Sequence, residues 1–159
     1  MEPAGTCEPT VTLFNATRGK YEQVCMVLRS PEEWKSVLPP DVYHVTREKG
    51  TEPPFSSRLL RCHDNGLYRC ACCGTDLFSS DAKFDSGTGW PSFREPVDRG
   101  NILFSKDTSL GMTRTEVLCA RCGAHLGHVF SDGPAPGGTR YCINGLALSF
   151  TPSGRQEGR

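Results

Sequence analysis

A chain of 159 residues with a hydrophobic fraction of 36% has room for one domain, whose single core should bury about 70% of the extended surface. Eighteen basic residues balance eighteen acidic ones, so no overall field draws a polyanion or a membrane surface, and neither nucleic acid nor membrane is expected as a partner. Seventeen glycines and twelve prolines point to many turns rather than long helices.

Residues 1–28 show neither the basic start nor the apolar run of a signal peptide, and no segment approaches the length that spans a bilayer. A cytoplasmic monomer is expected. In a reducing compartment nine cysteines read as metal ligands, reactive thiols and buried thiols rather than as disulfides. Asn15-Ala16-Thr17 then has no access to glycosylation. The β-branched and aromatic runs at 10–14 and 21–27, around polar residues 15–20, predict a hairpin inside an N-terminal extension of residues 1–29. Ser30 as cap, Pro31 at the first helical position and Glu33 three residues after the cap predict a short helix over 31–38. Pro39-Pro40 ends it.

From residue 67 to 150, short apolar clusters alternate with Gly, Asp, Ser and Pro: Leu67-Tyr68, Leu77-Phe78, Ile102-Leu103-Phe104, Val117-Leu118, Val129-Phe130, 141–143 and 146–150. This spacing fits antiparallel strands, so a mainly β domain is expected over 30–151, followed by a polar, flexible tail at 152–159.

Two units, Cys70-Ala71-Cys72-Cys73-Gly74 and Cys119-Ala120-Arg121-Cys122-Gly123, each follow a predicted strand. A C-x-x-C-G turn brings two thiolates to one side, and two such knuckles supply the four sulfurs of a tetrahedral zinc site. Cys70, Cys73, Cys119 and Cys122 are the predicted ligands of one structural Zn2+. Cys72 offers an alternative to Cys73, and the parallel between the knuckles favours Cys73. Joining distant segments through a metal restricts the unfolded chain and suits a core of modest apolar content.

Of the other cysteines, only Cys142 has a chemical setting: it lies in Arg140-Tyr141-Cys142-Ile143-Asn144, downstream of His125-Leu126-Gly127-His128. A free thiol is only about 3% ionised at pH 7, and a neighbouring cation, here Arg140 or a histidine, would raise the thiolate several-fold. The plain alternative is a small buried hydrophobe on a strand. The histidines, three apart, could equally hold a second metal or satisfy buried backbone groups.

Taken together, Gly50-Thr51-Glu52-Pro53-Pro54-Phe55, Lys83-Phe84-Asp85-Ser86-Gly87-Thr88-Gly89-Trp90-Pro91-Ser92-Phe93, the stretch 125–134 and Arg140 to Asn144 resemble the type B peptide-methionine (R)-S-oxide reductases. The resemblance covers about 31–150. It implies two antiparallel sheets around a zinc-clamped core, and reduction of the R epimer of methionine sulfoxide in oxidised proteins. It assigns Cys142 as nucleophile, His128 as principal acid with His125 beside it, Asn144 as a hydrogen-bonding neighbour, Arg140 as the adjacent cation and Trp90 as the wall receiving the substrate methyl. Trp90 as a core aromatic and Asn144 as a turn residue before Gly145 are the plain readings of those two positions.

Two positions depart from the family pattern. Thr88 stands where many members carry a recycling cysteine, and Gly145 where a serine often follows the asparagine. A thioredoxin-linked cycle then needs another thiol to capture the sulfenic acid on Cys142. Cys62, in a polar segment read as a surface loop, is the first candidate, ahead of Cys25, Cys7 and Cys72. The rival functions are a non-enzymatic zinc-binding module, which needs no nucleophile, and a thiol peroxidase, which needs no methyl-sized aromatic pocket.

Overall fold

Two antiparallel sheets carry the fold, as expected, and their shared core explains which residues form them. A computed structural model describes residues 7 and 9–153. The larger sheet has six strands in the order β5-β6-β10-β9-β8-β7: β5 Lys83–Phe84, β6 Ser92–Phe93, β7 Ile102–Asp107, β8 Arg114–Cys119, β9 His125–Phe130 and β10 Arg140–Ile143. The smaller sheet, β11-β3-β4, joins β11 Leu148–Pro152 to β3 Gly66–Cys70 and β4 Asp76–Ser79. Between the sheets lies an aromatic stack: Phe78 of β4 lies parallel to Phe93 of β6 at 4.4 Å between centroids, and Tyr68 of β3 meets Phe93 edge-on at 5.1 Å. All three side chains are fully buried, and ring pairs at these separations add stability beyond their area.

The predicted hairpin is a separate two-stranded sheet, β1 Thr10–Asn15 and β2 Lys20–Cys25. Buried Asn101 holds it to the domain, accepting from the Phe14 N–H at 2.9 Å and donating to the Phe14 carbonyl at 3.0 Å. The reading of every cysteine as a metal ligand or free thiol fails here, because Cys7 and Cys25 form a disulfide. The hairpin register explains it: Thr10 pairs with Cys25 and the Met26 N–H reaches the Pro9 carbonyl, so the chain entering β1 runs beside the chain leaving β2. Seven cysteines remain as free thiols.

Helix α1, Pro31–Val37, has the predicted capping box, with Ser30 and Glu33 satisfying each other's backbone N–H groups. A second helix, α2 Pro40–Arg47, was not foreseen. Pro39-Pro40 does end α1, but Pro40 also occupies the first turn of α2, where its missing N–H costs nothing. Tyr43, Val45 and Thr46 bury the inner face of α2. At the C-terminus β11 extends to Pro152, into the expected tail, and residues 154–159 of that tail lie outside the described residues. Among the described residues no helix is long and apolar enough to cross a membrane.

Candidate active site and metal centre

The two knuckles close on each other. The Cys70 carbonyl accepts from the Gly74 N–H, and the Cys119 carbonyl from the Gly123 N–H, both at 2.8 Å. Gly74 and Gly123 both have positive φ, at 81° and 76°, where a side chain would be strained. The sulfurs of Cys70, Cys73, Cys119 and Cys122 all lie within 4.8 Å of one another, and the Cys70–Cys122 and Cys73–Cys119 pairs are 3.6 Å apart. A zinc–sulfur bond of about 2.3 Å in a tetrahedron requires sulfurs about 3.8 Å apart, so the four thiols are clustered closely enough to hold the ion. Cys73, not Cys72, belongs to this tetrad.

Cys142 lies on β10, directly opposite His128 of β9 and Ser92 of β6. It lines a cleft of about 230 Å³ together with Thr88, Trp90, His128, Arg140 and Asn144. Gly127 permits the close approach of β9, since a Cβ there would run into the Cys142 carbonyl and lie 2.9 Å from the Ile143 Cα. In a regular strand His125 and His128, three residues apart, would face opposite ways. The pairing of β8 with β9 steps from Val117–Gly127 to Leu118–His125, leaving Leu126 as an extra residue. This bulge turns both imidazoles to one side, with ring centroids 5.5 Å apart.

Each histidine has its own carboxylate, and neither acid was singled out from sequence. Asp107, at the end of β7, bonds His128 Nε2 at 2.7 Å, and this contact, with help from Ser109, holds its carboxyl well below the usual range. Buried Glu116 of β8 bonds His125 Nδ1 at 2.6 Å and Lys49 at 3.1 Å. Burial pushes the His125 imidazole below its ordinary value, against the pull of Glu116, which favours a neutral ring. Asp107 and Glu116 lie outside the apolar clusters 102–104 and 117–118 from which the strands were read, so the sequence carried no signal for either acid. His125 is buried behind His128 and does not line the cleft.

The expected depression of the Cys142 pKa is not found. Burial pushes the thiol above its ordinary value, outweighing the Arg140 charge and the hydrogen bonds from Thr88 and Arg140, all of which favour the thiolate. Arg140 itself is fixed by two hydrogen bonds to Asp132, at 2.8 and 3.2 Å, and by stacking on Phe130. Trp90 and Asn144 are joined through Glu52. The Trp90 Nε1–H donates to the Glu52 carbonyl at 2.9 Å, and Asn144 Oδ1 accepts from the Glu52 N–H at 3.0 Å. The buried Glu52 carboxylate then accepts from the N–H groups of Gly145 and Leu146 at 2.8 and 2.9 Å.

Comparison with known proteins gives the family. The SelR domain model matches residues 38–152. A peptide methionine sulfoxide reductase MsrB of Methanosarcina barkeri is 58% identical over 124 residues, covering 78% of this chain and 87% of that protein. The MsrB of Leptospira interrogans is 55% identical over 78% of this chain and 95% of its own length. The mouse mitochondrial methionine-R-sulfoxide reductase B3 is 51% identical over 84% of this chain, which spans 53% of that protein. The chain belongs to the MsrB family of oxidoreductases.

Thr88 lines the cleft beside the nucleophile, its hydroxyl bonded to Ser86 at 2.8 Å. Cys62 is elsewhere: half-buried, it lines a separate cavity of about 350 Å³ with Lys83, Gly87 and Gly89, so the turn carrying Thr88 is shared by the two cavities. Cys7 and Cys25 leave the set of recycling candidates because they are bonded to each other. Gly145 has a packing reason, since a Cβ there would run into the Ser57 hydroxyl and lie 2.6 Å from the Ser57 Cβ.

Proposed function

We propose that this MsrB family member reduces the R epimer of methionine sulfoxide in oxidised proteins, with Cys142 as nucleophile. The observation that carries this reading is the pairing of Cys142 with His128 across β10 and β9, in a cleft walled by Trp90. The Cys142 thiolate attacks the sulfoxide sulfur while an acid protonates the oxygen. The S–O bond breaks, methionine leaves, and Cys142 becomes a sulfenic acid: thiol plus sulfoxide yields sulfenic acid plus thioether. His128 lines the cleft and supplies the proton, with Asp107 fixing its ring. His125, buried and held by Glu116, supports that ring from behind. Trp90 receives the methyl group, and Arg140 and Thr88 favour the thiolate.

Zinc on Cys70, Cys73, Cys119 and Cys122 clamps β3 to β8 and takes no part in the redox steps. The sulfenic acid condenses with a second thiol, releasing water, and thioredoxin reduces the resulting disulfide. Cys62 takes that role in this reading, and the Thr88 turn shared by the two cavities must move for its thiol to arrive. The enzyme acts as a cytoplasmic monomer.

Turnover of the separate R and S epimers with dithiothreitol tests the proposal. The R epimer alone should be consumed, and Cys142→Ser should consume neither. Activity retained in Cys142→Ser would overturn the assignment. Cys62→Ser should still release one methionine per chain but lose sustained turnover with thioredoxin, and undiminished turnover would exclude Cys62.

A further inference from the structure

The metal tetrad has a neighbour that none of its own spacing predicts. Arg47, in the last turn of α2, donates from Nη2 to the Cys122 sulfur at 3.1 Å and from Nη1 to the Cys122 carbonyl at 3.0 Å. Its guanidinium lies over the buried Trp34 indole of α1, with 4.2 Å from Cζ to the ring centroid. Among the described residues no other charged side chain donates to one of the four sulfurs. The contact is therefore two-pronged and backed by an aromatic surface, an arrangement the planar guanidinium suits and a lysine ammonium does not.

The electrostatics give this contact a purpose. Four thiolates around a divalent zinc leave the cluster with a formal charge of about −2. Cys70, Cys119 and Cys122 are buried, so water solvates little of that charge. A buried charge needs a partner, and a fixed cation donating to a ligand sulfur supplies one. We propose that Arg47 is an outer-sphere residue of the metal site, which offsets the charge of the zinc-bound thiolates and slows release of the ion. This rests on zinc occupying the tetrad, as in the function proposed above. It also ties the two N-terminal helices to the metal site, because Trp34 of α1 backs the guanidinium with which Arg47 of α2 reaches the second knuckle.

Zinc release to an excess of a chromophoric chelator, followed optically on the full chain, tests this independently of activity. Wild-type protein should carry one zinc and release it slowly. Arg47→Gln should release it about 10–100-fold faster, the usual loss on removing an outer-shell partner. Arg29→Gln is the control, since Arg29 also lies over Trp34, at 5.3 Å, and donates to none of the four sulfurs. It should release zinc at the wild-type rate. Wild-type protein without zinc would overturn the zinc reading and this proposal with it. A zinc-loaded wild type whose release rate Arg47→Gln leaves unchanged would overturn the role of Arg47 alone, as would equal acceleration by Arg29→Gln. Should Arg47→Gln not fold, Arg47→Lys takes its place, with faster release expected and an unchanged rate refuting the forked contact.

Discussion

Asn144→Ala separates the two ways in which this residue can serve the site. Asn144 is 4% exposed, and its amide spans two backbone segments, accepting from the Glu52 N–H at 3.0 Å and donating to the Leu126 carbonyl at 3.1 Å. Alanine leaves the Glu52 N–H buried and unpaired, at about 1–3 kcal/mol. The Leu126 carbonyl keeps the Asn144 N–H at 2.9 Å, so losing the second bond costs only about 0.5–1.5 kcal/mol. Together the loss is about 1.5–4.5 kcal/mol, which for a chain of this length lowers Tm by roughly 3–18 °C. Because the Glu52 carbonyl also holds the Trp90 indole, the variant should shift Trp90 fluorescence. A misplacement of about 1 Å at a reacting centre can cost on the order of 100-fold in rate, and kcat/KM should fall on that scale. Thermal melts, fluorescence and sulfoxide turnover measured on one preparation decide the matter. Lost activity with Tm within about 2 °C of wild type, close to the spread of ordinary surface substitutions, and unchanged fluorescence would refute the scaffold argument and leave Asn144 acting only on substrate.

The raised Cys142 pKa predicts that alkylation of the free enzyme by iodoacetamide climbs with pH through 7 to 9 without levelling, since only the deprotonated form reacts and burial holds the proton on. Arg140→Met should slow alkylation several-fold at pH 7, and a plateau below pH 8 would contradict the assignment. Gly127→Ala should cost about 1–3 kcal/mol and move β9 away from Cys142, because the added methyl meets backbone rather than a movable side chain. A wild-type melting curve for that variant would show that the strands need not lie so close.

What the sequence made legible was chemistry fixed by local spacing. The C-x-x-C-G echo locates four metal ligands because each knuckle is a local turn with its own hydrogen bonds. The strands from Leu67 onward follow apolar clusters, of which Tyr68, Leu77, Phe78, Ile102, Val117 and Ile143 are buried while Leu103 and Phe104 stay exposed. What was not legible depends on tertiary surroundings. Burial reverses the shift expected for Cys142, and no neighbour in sequence announces it. The bulge at Leu126 that brings the histidines together arises from pairing with β8, not from the composition of β9. Cys7 and Cys25 were misread because a compartment argument outweighed the hairpin register that places them side by side. Pro40 was read only as a stop, although a proline that ends one helix can open the next.

The strand order of the larger sheet has a consequence for how the site is assembled in time. Strands β7, β8, β9 and β10 pair in the order in which they occur, whereas β6 reaches β10 only by joining Ser92 to the distant Cys142. Short loops close before long ones, because the entropy lost on closure grows with loop length. The thiol and imidazole are therefore expected to meet early in refolding, with the indole wall arriving last. Pulsed alkylation during refolding should find Cys142 losing the reactivity of the unfolded thiol before Trp90 fluorescence reaches its final value. Loss of that reactivity in step with the fluorescence change, from the first measurable time, would mean that the sheet forms as one unit.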